Sequence, residues 1–267
     1  VSRAAMPPVS RDVLVHPDAG TLAHATAARL LTRLVDVQSH RSPVHLVVTG
    51  GSVGIATLEA VAQSPAHAAV DWSQVHVWWG DERFVPAGDP DRNETQAREA
   101  LLDALGAALP TGNVHPVPAQ DDDVTDPDVA ADAYAGELAA FAAAGAEVPA
   151  FDVLLLGMGP DGHVASLFPG HEALGTVGRP TVGVEGSPKP PPRRVSLTFE
   201  AIAQAREVWV VAAGEEKAAA VARALADDPD TPAARVHGTE RTLWLVDVAA
   251  TGDVPTSEPD GTPEPTS

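Results

Sequence analysis

His163 is the side chain of this sequence best placed to move a proton. It sits in Gly157-Met158-Gly159-Pro160-Asp161-Gly162-His163, where glycines let the backbone bend sharply and come close to a ligand while Pro160 stiffens the bend. An imidazole with an ordinary pKa of about 6.5 is largely neutral near neutral pH and can serve as a general base. The other reading is a tight turn whose histidine merely caps a short helix beginning there, and this segment alone leaves both open.

Three further groups of residues have types suited to an anionic ligand. Thr49-Gly50-Gly51-Ser52-Val53-Gly54 joins an apolar run to a helical one, so backbone N–H groups, the helix dipole and the Ser52 hydroxyl converge on a point that suits a phosphate. It matches neither a Walker loop nor GxGxxG, and packing of a helix on a strand would also explain its glycines. Trp78-Trp79-Gly80-Asp81-Glu82-Arg83-Phe84-Val85-Pro86 puts two carboxylates and a guanidinium in succession between apolar flanks, a dry setting in which Arg83 could clamp a phosphate. A surface turn with internal ion pairs is the alternative. Arg193 and Arg194 follow the proline run of residues 188–192, and Lys217 follows Gly214 by one turn. Each could be an ordinary surface charge; with Ser52 and Arg83 they make up a cationic pocket.

The elements that must carry these groups alternate along the chain. Residues 44–48, 75–79, 151–156 and 208–212 are apolar enough to be strands buried on both faces, with a first short strand at 12–15 and a last at 242–248. Helical segments intervene: one capped by Asp18 and running to about residue 38, then residues 53–63, 93–105, 129–144 and 215–226. The alternation predicts βαβ units, hence an α/β fold of three Rossmann-like layers with a mostly parallel sheet flanked by helices. Residues 181–185 and 195–199 read as further short strands, 188–192 as an extended polyproline passage and 121–128 as a solvated acidic loop. In such sheets ligands sit beyond the carboxyl ends of the strands, which is where the segments following residues 48, 79 and 156 fall.

Composition narrows the functional classes. A formal charge of −20 argues against non-specific nucleic-acid binding and means that any anionic ligand needs a local cationic pocket. Zero cysteines exclude disulfides, thiolate zinc sites and a cysteine nucleophile. No run approaches the roughly 20 apolar residues of a membrane span, and residues 1–10 lack the apolar core of a secretory signal. A soluble, cytoplasmic protein is expected, with one α/β domain over residues 11–250 and disordered tails at 1–10 and 251–267. Lysine is scarce, Lys189 and Lys217 standing against 15 arginines, which marks those two positions only weakly.

TGGS, WWGDERFVP, GMGPDGHVASLFPG, PKPPPRRVSLT and GEEKA stand in the order and approximate spacing of 6-phosphogluconolactonases related to glucosamine-6-phosphate deaminases, and the likeness runs from about Val13 to Val248. The resemblance implies hydrolysis of 6-phospho-D-glucono-1,5-lactone to 6-phosphogluconate in the pentose phosphate pathway, with no cofactor and no metal. Carried over by position, His163 resembles the general base, with Asp161 its neighbour in the active-site turn. Arg194 and Lys217 resemble the phosphate-binding cations, Gly50, Gly51 and Ser52 the hydrogen-bond donors, and Asp81 and Arg83 substrate-contacting residues. The expected partner is a small phosphorylated sugar lactone, without nucleic acid or membrane, for a monomer or weak homo-oligomer. Departures from the family pattern are Val53-Gly54 for a frequent Thr-Pro, Val164 for Thr, Ala203 for Asn and Arg92 for the Ser before Asn93; the last puts the Asn93 turn in question. Two rivals are an isomerase/deaminase of the same superfamily, which carries an acidic residue where Ala165–Gly170 has none, and a non-catalytic sugar-phosphate sensor.

Overall fold

The computed structural model describes residues 10–252. Six strands form a parallel sheet in the order β1-β9-β8-β5-β2-β3. They are β1 (Ser10–His16), β2 (Val44–Val48), β3 (Val75–Trp79), β5 (Val153–Gly157), β8 (Glu207–Ala212) and β9 (Arg241–Asp247). Every residue of β2 and of β8 is buried, His45 and Glu207 included, as mostly apolar runs require when helices cover both faces. The helices include α1 (Ala19–Gln38), α2 (Gly51–Gln63), α3 (Asn93–Ala97, continuing through a π-turn over Arg98–Leu102), α4 (Pro127–Ala140) and α5 (Ala218–Leu225). Asp18 caps α1 as expected, accepting from the Thr21 N–H. No described helix is long and apolar enough to cross a membrane.

After β2 the chain moves outward to β3 and then returns to β5 on the other side of β2, so the winding reverses between β2 and β5. Sheets of this type open a crevice where the order reverses, outside the carboxyl ends of the strands. The turns that follow β2 and β5 are the Thr49–Gly51 and Gly157–His163 segments.

A second, three-stranded antiparallel sheet, β4 (Asp81–Arg83), β7 (Arg194–Leu197) and β6 (Thr181–Val184), lies beyond the end of β3. Gly80 links the two sheets: its N–H donates to Val48 O and its carbonyl accepts from the Leu197 N–H. The strand at Asp81–Arg83 escapes sequence patterning because three polar residues carry no apolar alternation.

Three expectations are corrected. No helix starts at His163: residues 158–170 are turns joined by single bridges from Val164 to Met158 and to Leu167, and Ala165 adopts a φ of 48° that no helix allows. Bends, not an extended passage, occupy residues 188–191, because the segment folds back onto Arg194. Ser10 pairs with Arg241 in β1, and Thr251 closes the helix Val248–Thr251 through a hydroxyl bond to Val248 O, so neither is a tail residue. The rest of the expected tails, residues 1–9 and 253–267, lies outside the described residues.

Candidate active site

A cavity of about 250 Å³ opens at the reversal point. Its wall comes from four carboxyl ends of the parallel sheet, Thr49–Gly51 after β2, Asp81 after β3, Met158–His163 after β5 and Lys217 beyond β8, together with Arg83 and Arg194 of the small sheet.

His163 lines this cavity, and its Nδ1 lies 2.6 Å from Asp161 Oδ1. The same oxygen accepts from the His163 backbone N–H at 3.4 Å, so the two-residue spacing alone brings carboxylate and imidazole together. A Cβ on Gly159 would lie 2.1 Å from the imidazole, which is why that position must be glycine. Phe168 packs on the ring at 4.5 Å between centroids. Burial works against the Asp161 charge, but the His163 hydrogen bond, the His163 charge and Lys189 outweigh it and hold the carboxyl down at about 2. A carboxylate accepting at Nδ1 fixes the tautomer that leaves Nε2 basic.

Asp81 lines the same cavity. It is buried, accepts from Ser166 Oγ at 2.7 Å and lies 3.9 Å from Arg194 Nη1. Asn93 Nδ2 donates to its carbonyl at 2.7 Å. Asn93 Oδ1 is buried without a partner, and a Cβ on Gly50 would meet it at 1.8 Å. Gly50 is thus demanded by the asparagine amide lying against it. No side chain of Gly50 caps α2, so the first-turn N–H groups beside the cavity-lining Gly50 and Gly51 are left for a ligand.

Arg83 and Arg194 face each other across β4 and β7, two like charges on one wall. Burial, partly offset by Asp81 and reinforced by Arg83, pushes the Arg194 guanidinium down; burial and the neighbouring Lys189 do the same to Lys217. Arg194 spends Nε on Pro191 O and Nη2 on the carbonyls of Lys189 and Pro190, so its Nη1 is the nitrogen left to turn toward Asp81 and a ligand. Arg193 points to the opposite face, bonded to Glu185 and Thr125 and lying over Phe84, as strand alternation dictates.

The cavity therefore gathers His163, Gly50, Gly51, Asp81, Arg83, Arg194 and Lys217, with Asp161 behind His163. Ser52 is not brought in: it is exposed in the first turn of α2 and forms no part of the wall. Two lining residues were missed in sequence. Asn93 was put in question by Arg92, yet Arg92 is fully buried, pairs with Glu94 at 3.1 Å and Glu82 at 3.7 Å, and donates to Val117 O, anchoring the turn that delivers Asn93. Glu82 completes that anchor by accepting from the backbone N–H groups of Arg83, Asn93 and Glu94. Lys189 stood in a proline run with no signal beyond the scarcity of lysine.

Four cations, Arg83, Lys189, Arg194 and Lys217, thus face two carboxylates, Asp81 and Asp161, in a chain of net charge −20. The family described as glucosamine-6-phosphate isomerases/6-phosphogluconolactonase matches residues 17–244. A 6-phosphogluconolactonase of Streptomyces coelicolor is 52% identical over 92% of this chain and 95% of its own length, and one of Mycobacterium leprae 45% identical over 92% and 100%. The solved structure of 6-phosphogluconolactonase from Trypanosoma cruzi superposes with a TM-score of 0.78 at 26% identity, covering 92% of this chain and 97% of that one. On the agreement of family model, relatives and fold, the chain belongs to the glucosamine-6-phosphate isomerase/6-phosphogluconolactonase family.

Proposed function

We infer that the chain is a 6-phosphogluconolactonase, hydrolysing 6-phospho-D-glucono-1,5-lactone to 6-phosphogluconate in the pentose phosphate pathway. The observation that carries the reading is the carboxylate-oriented imidazole of His163 in the same cavity as a cluster of cations. A lactone is an activated ester, so a positioned base and a stabilised oxyanion suffice. Nε2 of His163 takes a proton from water as the water oxygen attacks C1. The imidazolium, steadied by Asp161, returns that proton to the ring oxygen as the tetrahedral intermediate collapses and the C1–O bond breaks. Cavity N–H groups or cations stabilise the oxyanion, worth roughly 3 to 4 kcal/mol per donor in comparable sites.

The phosphate is held by Lys217, Arg194 Nη1 and the first-turn N–H groups of α2, with Arg83 and Asp81 on the adjoining wall, and this anchoring sets C1 against the base. Residues 10–252 act as one α/β domain, a monomer or weak homo-oligomer in the cytoplasm. The acidic surface supports a small-molecule partner over nucleic acid. The segment Ala165–Gly170, which sets Phe168 against His163 and offers no carboxylate, disfavours deaminase chemistry. Acid release from fresh 6-phosphogluconolactone in a pH-stat tests the reading: the protein should exceed the spontaneous rate by orders of magnitude, and a rate equal to that background would end it.

A further inference from the structure

Lys189 lines the cavity on a strap, residues 187–192, that is pinned from both sides. Within the strap, the Ser187 N–H donates to Pro192 O at 2.9 Å, and Ser187 Oγ donates to Lys189 O at 3.0 Å while accepting from the Lys189 N–H at 3.2 Å. From the other side Arg194 donates to the carbonyls of Lys189, Pro190 and Pro191. Four prolines at 188 and 190–192 restrict the strap further. A lysine on a free loop would spread its charge over solvent; here its backbone is fixed and its Nζ lies 4.0 Å from Asp161 Oδ1. That is the oxygen which His163 Nδ1 contacts at 2.6 Å.

We propose that Lys189 is a positioning residue for the Asp161–His163 pair, holding the carboxylate against Nδ1 so that Nε2 remains a free base. The proposal rests on the hydrolase reading above and adds to it a group that acts through Asp161 and need not touch substrate. Other charges face the pair. Lys217 feels the charges of both Lys189 and Asp161, with Glu216 beside it, and Arg223 of α5 donates to the Asp161 backbone carbonyl at 3.4 Å. Phe168 supplies the apolar side. Among the described residues, Lys189 is the cation within ion-pair reach of the Asp161 carboxylate. Its charge also opposes proton uptake by the neighbouring imidazole, so its loss should favour the protonated, inactive base.

The experiment measures acid release from about pH 5 to about pH 8 by wild type, Lys189→Met, Lys189→Arg and His163→Ala, on 6-phosphogluconolactone and on unphosphorylated glucono-1,5-lactone. In Lys189→Met, kcat falls several-fold and the acid limb of kcat/KM moves to higher pH by about half a unit, a size typical of a half-exposed charge pair. Both substrates show the shift, KM changes little, and Lys189→Arg restores the limb. An unmoved acid limb overturns the proposal, including the case where KM rises for the phosphorylated lactone alone, which would make Lys189 a phosphate contact. If Lys189→Met loses the wild-type thermal midpoint, Lys189→Gln is read by the same criteria. Failure of the hydrolase reading looks different, since wild type itself would then not exceed the background.

Discussion

Two groups of imidazoles occupy opposite ends of the same parallel sheet. At the amino ends of β2 and β3, His45 and His76 sit side by side in register, and His76 Nδ1 lies 2.8 Å from His115 Nε2, whose Nδ1 in turn lies 2.8 Å from Glu137. Trp78 stacks on His115 at 3.9 Å and donates to His45 Nδ1. Burial, then the charges of His76 and His115, push His45 down to about 4; burial also lowers His76 and His115, though Glu137 pulls the last back up. At the carboxyl ends, His163 has a carboxylate at 2.6 Å, an aromatic ring on one face and a cavity before it. The histidines that burial pushes down are thus packed against one another and against Trp78, whereas His163 faces a cavity. A depressed pKa reports burial; an orienting carboxylate beside open space marks a group fit for catalysis.

The comparison breaks first at His163. Replacing it with alanine should cut kcat by roughly 100 to 10,000-fold and leave the thermal midpoint nearly unchanged. His45→Asn, which keeps an acceptor for Trp78, should leave kcat close to wild type. Full turnover in His163→Ala would erase the distinction between the two groups.

The buried group predicts a pH effect on stability instead. Unfolded, His45 titrates near 6.5; folded, near 4, so over that interval the unfolded chain takes up a proton that the folded one refuses. Its contribution is therefore fully present above pH 6.5 and lost as pH falls toward 4, by up to about 3 kcal/mol. Chemical denaturation across that range should show the loss for wild type and a flatter profile for His45→Asn. An equally steep profile in the variant would assign the effect elsewhere.

Smaller effects sharpen the cavity side. Gly50→Ala drives a Cβ to 1.8 Å from Asn93 Oδ1, so it should cost about 1 to 3 kcal/mol of stability and raise KM as Asn93 leaves Asp81. Unchanged unfolding and KM would show that the asparagine yields freely. Arg83→Ala should raise KM for the phosphorylated lactone by roughly tenfold, the weight of one charged hydrogen bond, and spare the unphosphorylated one. Equal loss on both would remove Arg83 from phosphate binding.

Much of this frame is legible in the residues because local signals coincide with global ones. The runs at β2 and β3 are apolar, short and bounded by glycine turns, and their expected limits match those observed. Gly50, Gly51 and His163 fall at the sheet reversal for the same reason. What was not legible depends on contacts between distant segments. The turn after His163 reads as a helix start because nothing local announces the positive φ of Ala165. Lys189 and the bent strap owe their form to Arg194. Arg92 reads only as a departure from the family pattern until Glu82 and Glu94 close around it. Ser52 carries a plausible donor, but in the first turn of α2 it is exposed and forms no part of the cavity wall.

Lactone hydrolysis in this cavity requires base and phosphate cations to address opposite ends of one sugar. A crystal structure with 6-phosphogluconate bound tests it most directly. The C1 carboxylate should lie within hydrogen-bonding reach of His163 Nε2 and the phosphate against Lys217, Arg194 Nη1 and the amino end of α2. The phosphate seated at His163, or the sugar bound outside this cavity, would contradict it.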